Sequence, residues 1–199
     1  MEKEIVRFSK DNFKKTVARA TDSIKKGGVI VCPTDTVYGL LCDATNKKAV
    51  EKIFEIKKRD RSKKFPIFVK DIGQAKEIAF LNEKQERILR ESWPGRITFV
   101  LKGKEGKLSF LFSVDNTIAL RIPKHNLVNK ILEKTGKPLA QTSANISGEP
   151  APTKIREVIN HFKDEENQPD LIINAGNLPE NKPSTIIDLT EDKIKTLRP

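Results

Sequence analysis

This chain of 199 residues has few of the side chains that bind metal ions or form disulfide bonds. It contains two cysteines, Cys32 and Cys42, and two histidines, His125 and His161. Two cysteines are too few for a disulfide framework, and Cys32 lies in an apolar stretch, where we expect it to act as a small hydrophobic residue. Together with two histidines they do not provide an ordinary zinc site. The sequence therefore argues against a disulfide-stabilised secreted domain and against structural zinc.

Long apolar runs and the common nucleotide-binding motifs are missing as well. No run approaches the length needed to span a bilayer, and the charged start Met1-Glu2-Lys3-Glu4 lacks the apolar core of a signal peptide. Neither a Gly-x-x-x-x-Gly-Lys-Ser/Thr nor a Gly-x-Gly-x-x-Gly motif occurs. We expect a cytoplasmic protein without membrane contact, in which any nucleotide is bound by a less common arrangement.

Positive charge is abundant. The chain has 38 Lys and Arg against 27 Asp and Glu, a formal net charge of +11 and a pI of about 9.6. Two interpretations fit equally well: a partner or substrate rich in phosphate, or a surface whose lysines and glutamates only keep the protein solvated. Charge alone does not distinguish ATP from RNA, or either from the absence of any such partner.

Hydrophobic periodicity predicts helices and strands that interleave along the chain. Helices are expected from about Ser9 to Lys26, from Thr45 or Asn46 to Lys57, and over 72–80, 83–92, 127–133 and 155–162, the last capped by Thr153. Strands are expected over 29–32, 37–41, 66–69, 96–102, 117–122, 171–174, 185–189 and 194–197, and from Leu139 onward. With no internal repeat and no linker, this pattern predicts one domain over residues 1–199, of α/β or α+β class, with a large sheet.

Two polar segments far apart in the chain suit a ligand that carries several phosphates. One is Lys57-Lys58-Arg59, at the end of a predicted helix, with the basic stretch that follows it. The other is the hydroxyl- and amide-rich run from Gln141 to Gly148, after a predicted strand. Cations neutralise phosphate oxygens, while hydroxyls, amides and backbone N–H groups satisfy the remaining lone pairs. Ser143 and Asn145 are two positions apart, so an extended segment would turn both towards one cavity.

Arg121 ends an otherwise apolar predicted strand, Ile118-Ala119-Leu120-Arg121-Ile122. An arginine in such a place needs an anion beside it, or it must extend to solvent. We therefore treat Arg121 as a candidate ligand for an anionic group.

Several motifs, in order along the chain, resemble those of one family. They are Pro33-Thr34-Asp35-Thr36-Val37-Tyr38-Gly39-Leu40, Lys57-x-Arg59, Trp93-Pro94-Gly95, Leu120-Arg121-Ile122-Pro123, Thr142-Ser143-Ala144-Asn145-x-Ser147-Gly148, Ser184-Thr185-Ile186-Ile187-Asp188 and Leu197-Arg198-Pro199. Over essentially the whole chain they resemble the YrdC-type threonylcarbamoyl-adenylate synthase family. The resemblance implies a large, curved, mixed sheet with helices around a concave, positively charged cavity.

The resemblance also implies a reaction. L-threonine, bicarbonate and ATP would give threonylcarbamoyl-adenylate, pyrophosphate and water. Mg²⁺ would be carried on the ATP phosphates, with no metal site of the protein's own and no tightly bound cofactor. The product would pass to a tRNA threonylcarbamoyl-transfer complex, which modifies an adenosine beside the anticodon; whether tRNA contacts this chain is left open.

Residue roles follow from the same resemblance, position by position. The catalytic candidates are Lys57, Arg59, Ser143 and Asn145. The candidates for binding ATP are Arg59, Lys63, Ser143, Ala151 and Arg198. The candidates for binding L-threonine are Thr36, Thr117, Arg121, Gln141 and Ser184, with Thr34 as the near alternative to Thr36. For the hydroxyls, the competing interpretation is local bonding in turns; for the basic run, it is a solvated helix end.

Four positions depart from the family pattern, and two other functions compete. The departures are Asp60, Phe68, Arg96 and Gln141.

One competing hypothesis is a double-stranded RNA- or tRNA-binding module of the same fold, although an aromatic content of 6% leaves few platforms for base stacking. The other is a relative with changed adenylation chemistry, against which the intact Lys57-x-Arg59 and Ser143-x-Asn145 pairs argue.

Overall fold

The computed structural model describes residues 4–191 and 193–199, and in them strands and helices interleave as predicted. The strands are β1 Glu4–Arg7, β2 Ile30–Cys32, β3 Gly39–Asp43, β4 Ile67–Phe68, β5 Ile97–Lys102, β6 Thr117–Arg121, β7 Leu139–Ser143, β8 Leu171–Asn174, β9 Thr185–Asp188 and β10 Lys195–Arg198. The helices are α1 Phe13–Lys25, α2 Lys47–Lys57, α3 Ile72–Ile78, α4 Glu83–Ser92, α5 Asn126–Thr135 and α6 Ile155–Phe162, with a 3₁₀ turn at Ser109–Leu111.

All of these strands join one mixed sheet. Their order across it is β1-β8-β2-β3-β7-β4-β6-β5-β9-β10. The pairs β1–β8, β8–β2, β4–β6 and β5–β9 are parallel, and the others are antiparallel. The predicted α/β class, with a large mixed sheet flanked by helices, is confirmed.

Strand alternation divides the apolar residues between the two faces of the sheet. One face forms the first core, in which Val31, Leu40 and Phe99 pack with residues of α2 and α6. The opposite face forms the second core, in which α1 and α5 cover strand residues such as Leu41 and Leu139. The two cores together bury most of the aliphatic side chains of the strands.

The second-core face is only partly covered. Residues that pair directly across strands share a face, and Phe68 of the second core pairs with Arg121. Farther across the same face, Ala119 pairs with Val100 on β5. Arg121, Ala119 and Val100 line an open cavity on the part of this face that α1 and α5 do not cover. The sheet therefore uses one half of this face for packing and leaves the other half for a site.

Helix α2 shows how local sequence delivers a side chain to that site. Asn46 caps the helix by accepting a hydrogen bond from Ala49 N at 3.2 Å, whereas Thr45 bonds to Asp43 instead. At the other end Lys58 adopts a left-handed conformation with φ of 50°, and Arg59 N donates to Phe54 O at 3.0 Å. This is a Schellman-type ending, and it turns the chain away from the helix axis at Arg59.

Several boundaries differ from the predictions for local reasons. Strand β1 was not predicted, because Glu4-Ile5-Val6-Arg7 is short and half charged; its partner β8 supplies the pairing. Helix α1 begins at Phe13 and not near Ser9, whose N–H instead donates to Asn12 Oδ1 at 2.9 Å. Helix α6 has Lys154, not Thr153, at its N-cap position.

Candidate active site

The open half of the sheet face holds a cavity of about 360 Å³ built from distant parts of the chain. Eight of the predicted site residues line it: Thr36, Arg59, Arg121, Gln141, Ser143, Ala151, Ser184 and Arg198. They come from the turn after β2, the end of α2, strands β6 and β7, the segment after β7, and the β9–β10 edge. Their convergence makes this cavity the candidate active site.

The lining is strongly cationic. Arg59, Arg121 and Arg198 are joined by Lys64, and the described lining contains no carboxylate. Burial lowers the pKa of all three arginines, yet arginine stays charged at any physiological pH because its ordinary pKa is so high. The cavity thus suits a ligand with several negative charges.

Arg121 is held by the protein on two sides. Its Nη2 donates to Asp35 Oδ1 at 2.7 Å, and its Nε donates to Gly95 O at 2.8 Å. The two charged side chains are only 2% and 6% exposed. Asp35 Oδ2 also accepts from Lys124 N at 2.9 Å, and the Phe68 ring centroid lies 5.6 Å from the guanidinium carbon. The sequence predicted that Arg121 needs an anion beside it. The structure provides one within the protein, the Asp35 carboxylate, which the sequence analysis did not predict.

The turn after β2 places its two threonines differently. Thr34 Oγ1 donates to Val37 O at 2.7 Å and accepts from Thr36 N at 3.1 Å, so it braces the turn. Thr36 lines the cavity, and its hydroxyl lies 3.0 Å from Thr34 Oγ1. Of the two alternatives left open by the sequence, Thr36 is the one on the cavity wall.

Arg59 is oriented by the backbone just after it. Its Nε donates to Lys63 O at 2.8 Å, and its guanidinium carbon lies 5.3 Å from the Phe65 ring centroid. The Lys63 side chain is exposed and outside the lining, so Lys63 contributes a carbonyl here, while the neighbouring Lys64 lines the cavity. Asp60 is exposed and outside the lining: its carboxylate accepts from Ser62 N at 2.9 Å, which is the largest cause of its lowered pKa.

Ser143 lies at the end of β7 on the cavity wall, but Asn145 and Lys57 lie behind that wall. Lys57 Nζ donates to Ser143 O at 2.7 Å, to Asn145 O at 2.8 Å and to Asn145 Oδ1 at 3.0 Å. Asn145 Nδ2 donates to Ile146 O and Glu149 O. Burial, and then the neighbouring Arg59, lower the pKa of Lys57 to about 7.

The far rim is formed by β10 and the residue before β9. Arg198 Nε and Nη2 donate to Ser184 O at 2.9 and 2.7 Å, and Ser184 Oγ lies 2.9 Å from Thr98 Oγ1. Thr117 shares the strand face of Arg121, but its hydroxyl lies 2.7 Å from Ser113 Oγ and outside the described lining. The last departure from the family pattern, Arg96, donates to Asn181 Oδ1 at the surface.

The structure thus separates the predicted residues into two groups. Lys57, Lys63, Thr117 and Asn145 are not on the cavity wall, because their polar atoms bond to other parts of the chain or face solvent. Lys64 and Asp35 were not predicted. The basic run after Arg59 indicates that some lysine lines the site, but it does not show which one turns inward. Asp35 belongs to the first motif, but its role was not predicted because its partner, Arg121, is far away in sequence.

A larger cavity, of about 610 Å³, lies between α1 and α5 and contains none of the predicted site residues. Within residues 4–191 and 193–199 no group of three or more His, Cys, Asp and Glu side chains is arranged to bind a metal ion. No helix in this part of the chain is both long enough and apolar enough to cross a bilayer.

Comparison with known proteins agrees with the fold and the motifs. A family model named for Sua5, YciO and YrdC, and described as telomere recombination, matches residues 22–199. The chain belongs to the Sua5/YciO/YrdC family. It is 33% identical over 195 residues to a putative threonylcarbamoyl-AMP synthase of Methanocaldococcus jannaschii, covering 98% of this chain and 90% of that protein. It is 34% identical over 187 residues to the uncharacterized protein YciO of Escherichia coli, covering 92% and 87%.

Among solved structures of the family, the Sua5 protein of Pyrococcus abyssi complexed with L-threonine superposes with a TM-score of 0.86 at 32% identity. This chain is covered completely, but it spans only 57% of that longer protein. Membership of the Sua5/YciO/YrdC family therefore rests on sequence and on three-dimensional structure alike.

Proposed function

We propose that this protein is an L-threonylcarbamoyladenylate synthase, a nucleotidyltransferase that forms threonylcarbamoyl-AMP and pyrophosphate from L-threonine, bicarbonate and ATP. The observation that carries the proposal is the meeting of Arg59, Arg121 and Ser143 in one cavity, from three distant parts of the chain. Support comes from relatives named threonylcarbamoyl-AMP synthase and from the threonine complex of the Pyrococcus abyssi Sua5 protein.

The chemistry requires two anions to meet. The threonine amine adds to the carbon of bicarbonate, and loss of water leaves a carbamate. A carbamate oxygen then attacks the α-phosphorus, the bond from that phosphorus to the bridging oxygen breaks, and pyrophosphate leaves. Repulsion between the carbamate and the triphosphate opposes this approach, so fixed cations beside both groups lower the barrier.

Arg59 and Lys64 are our candidates for the triphosphate, with the Ser143 hydroxyl as a further donor. Arg59 leaves the end of α2 with its Nε fixed by Lys63 O, so its free N–H groups are held in one orientation. A fixed guanidinium can form paired hydrogen bonds with phosphate oxygens, while lysine acts more as a point charge. Arg198, on the rim, and Ala151 complete the proposed nucleotide side of the cavity. Mg²⁺ would arrive on the phosphates, since the described lining has no carboxylate to bind it.

Arg121 is our candidate for the threonine carboxylate. Asp35 and Gly95 O use its Nη2 and Nε, and no partner within the described residues takes Nη1. Asp35 therefore positions the guanidinium and leaves donors for a substrate. Thr36, Gln141 and Ser184 lie on the same cavity wall and provide the hydroxyl and amide groups that a threonine side chain needs. Thr117 would act only indirectly, because its hydroxyl lies beside that of Ser113 and outside the described lining.

The proposal is tested by incubating the protein with ATP, L-threonine and bicarbonate and detecting the adenylate by mass. We expect a product whose formation requires all three substrates and which appears together with pyrophosphate. Parallel reactions without threonine, without bicarbonate, or with L-serine show whether the amino acid is the acceptor. Pyrophosphate release that does not depend on threonine would reject the proposal, as would specific RNA binding with no adenylate. We further propose that the product passes to a tRNA threonylcarbamoyl-transfer complex in the cytoplasm.

A further inference from the structure

Lys57 is the most deeply buried ammonium group near the site, with 2% of its surface exposed. Its three contacts go to Ser143 O, Asn145 O and Asn145 Oδ1, all within 3.0 Å. An ammonium group has three N–H donors and no acceptor, so these contacts use all of them. Lys57 has no donor left for a phosphate.

The same residue holds the segment through its main chain. Ser147 N donates to Lys57 O at 2.8 Å, and Asn145 Nδ2 donates to Glu149 O at 2.6 Å. The stretch that follows Ser143, from Ala144 to Glu149, has no regular secondary structure. The end of α2 and the Asn145 side chain therefore give this stretch much of its fixed shape.

The direction of these bonds matters for an anion site. Ser143 O and Asn145 O are carbonyl oxygens, and both point at the ammonium behind the cavity wall. A carbonyl oxygen facing the cavity would repel phosphate. Of the described residues in this segment, Ser143 is the one that lines the cavity, and its hydroxyl, unlike these carbonyls, can donate a hydrogen bond to a phosphate.

We infer that Lys57 is a positioning residue that acts through the Ser143–Asn145 segment and does not contact the substrate. The inference rests on the proposed function in one respect, namely that Ser143 contacts the triphosphate. Burying the ammonium is costly, and its three acceptors offset part of that cost only in this geometry, so Lys57 and Asn145 together favour one loop conformation.

The first test needs no substrate. Hydrogen exchange of the free protein is followed by mass spectrometry in Lys57→Met, which removes the ammonium but keeps an unbranched side chain only one heavy atom shorter. The matched control is Lys48→Met, a change of an exposed lysine in the same helix. We expect faster exchange in peptides covering 143–149 for Lys57→Met and no change for Lys48→Met. Unchanged exchange in that segment would overturn the inference, even if activity is lost.

The second test is a double-mutant cycle with Ser143→Ala. A misplaced site group lowers turnover by about 100-fold, so we expect a loss of that order in Lys57→Met alone. We expect most of that loss to vanish in the Ser143→Ala background, because both changes act through one hydroxyl. The opposite result would be a loss in the double variant equal to the product of the two single losses, with Lys57→Met raising only the KM for ATP. That result would indicate a direct contact with phosphate and overturn the inference.

Two further points keep the tests decisive. If Lys57→Met does not fold, Lys57→Arg and Asn145→Ala are used, and each should loosen the same 143–149 peptides. If the wild-type protein forms no adenylate, the proposed function fails, but the exchange experiment still decides whether Lys57 holds the segment.

Discussion

The carboxylate of Asp35 and the guanidinium of Arg121 form a buried ion pair, 2.7 Å apart, at the wall of the candidate site. Asp35 comes from the turn after β2 and Arg121 from the end of β6, so the pair connects two elements that lie 86 positions apart. Lys124 N, at the start of the loop into α5, donates to the same carboxylate. The pair thus fixes an arginine that lines the cavity and whose Nη1 has no partner among the described residues.

Asp35→Asn should weaken binding of L-threonine at least tenfold and leave binding of ATP nearly unchanged. Removing one partner of a buried ion pair also costs about 3–5 kcal/mol of stability, so titration calorimetry is done well below the melting temperature. Asp43→Asn serves as a control, because Asp43 accepts bonds from Thr45 away from the site. A larger effect on ATP than on threonine would contradict our placement of the two substrates.

Arg59→Ala should reduce adenylate formation by about 100-fold or more, since the guanidinium is placed to stabilise developing charge. Its removal should cost little stability, because its bonds are to backbone carbonyls at a helix end. Arg61→Ala, which removes only an exposed pair with Glu51, is the matched control. Turnover and thermal melting are measured on both, and equal losses of activity and stability in Arg59→Ala would argue for a structural role.

Lys58→Gly should raise the free energy of unfolding by about 0.5–1 kcal/mol, measured by urea denaturation. Lys58 has φ of 50°, a conformation that costs an L side chain energy and glycine almost nothing. The exposed ion pair of Lys58 with Glu165 contributes little in water. Activity should stay within twofold, because the turn that aims Arg59 is kept; a stability loss would show that the left-handed turn is not strained.

Stability should depend on pH through Lys57. Its folded-state pKa of about 7 lies below the ordinary value of 10.5, mainly because of burial. Between these values the unfolded chain binds more protons at this residue than the folded one, so Lys57 contributes a rise in the free energy of unfolding with pH, of at most about 1.4 kcal/mol per unit. Lys57→Met, measured by the same denaturation series from pH 6 to 9, lacks this contribution. If the free energy of unfolding depends on pH in the same way in both proteins, Lys57 makes no such contribution and the prediction is wrong.

The sequence carried the element types and the order of the motifs, because periodicity and caps act locally. Asn46 was one of two predicted caps of α2, and the strand ending at Arg121 was found from its apolar run. Two features were not predicted: the ion pair of Asp35 with Arg121, and the hydrogen bonds of Lys57 to Ser143 and Asn145. Each joins residues that lie 86 or more positions apart in the chain. Which of Lys63 and Lys64 turns inward depends on the backbone after Arg59, and no local pattern fixes it.

Phe68 belongs to two environments at once. Its ring is fully buried among the side chains of the second core, and it also lies under the Arg121 guanidinium. A change of aromatic volume there shifts the charged group without placing any new atom in the cavity. Under the proposed assignment of Arg121 to the amino-acid carboxylate, a change at Phe68 would alter selectivity from within the hydrophobic core, while every residue that lines the cavity stays the same.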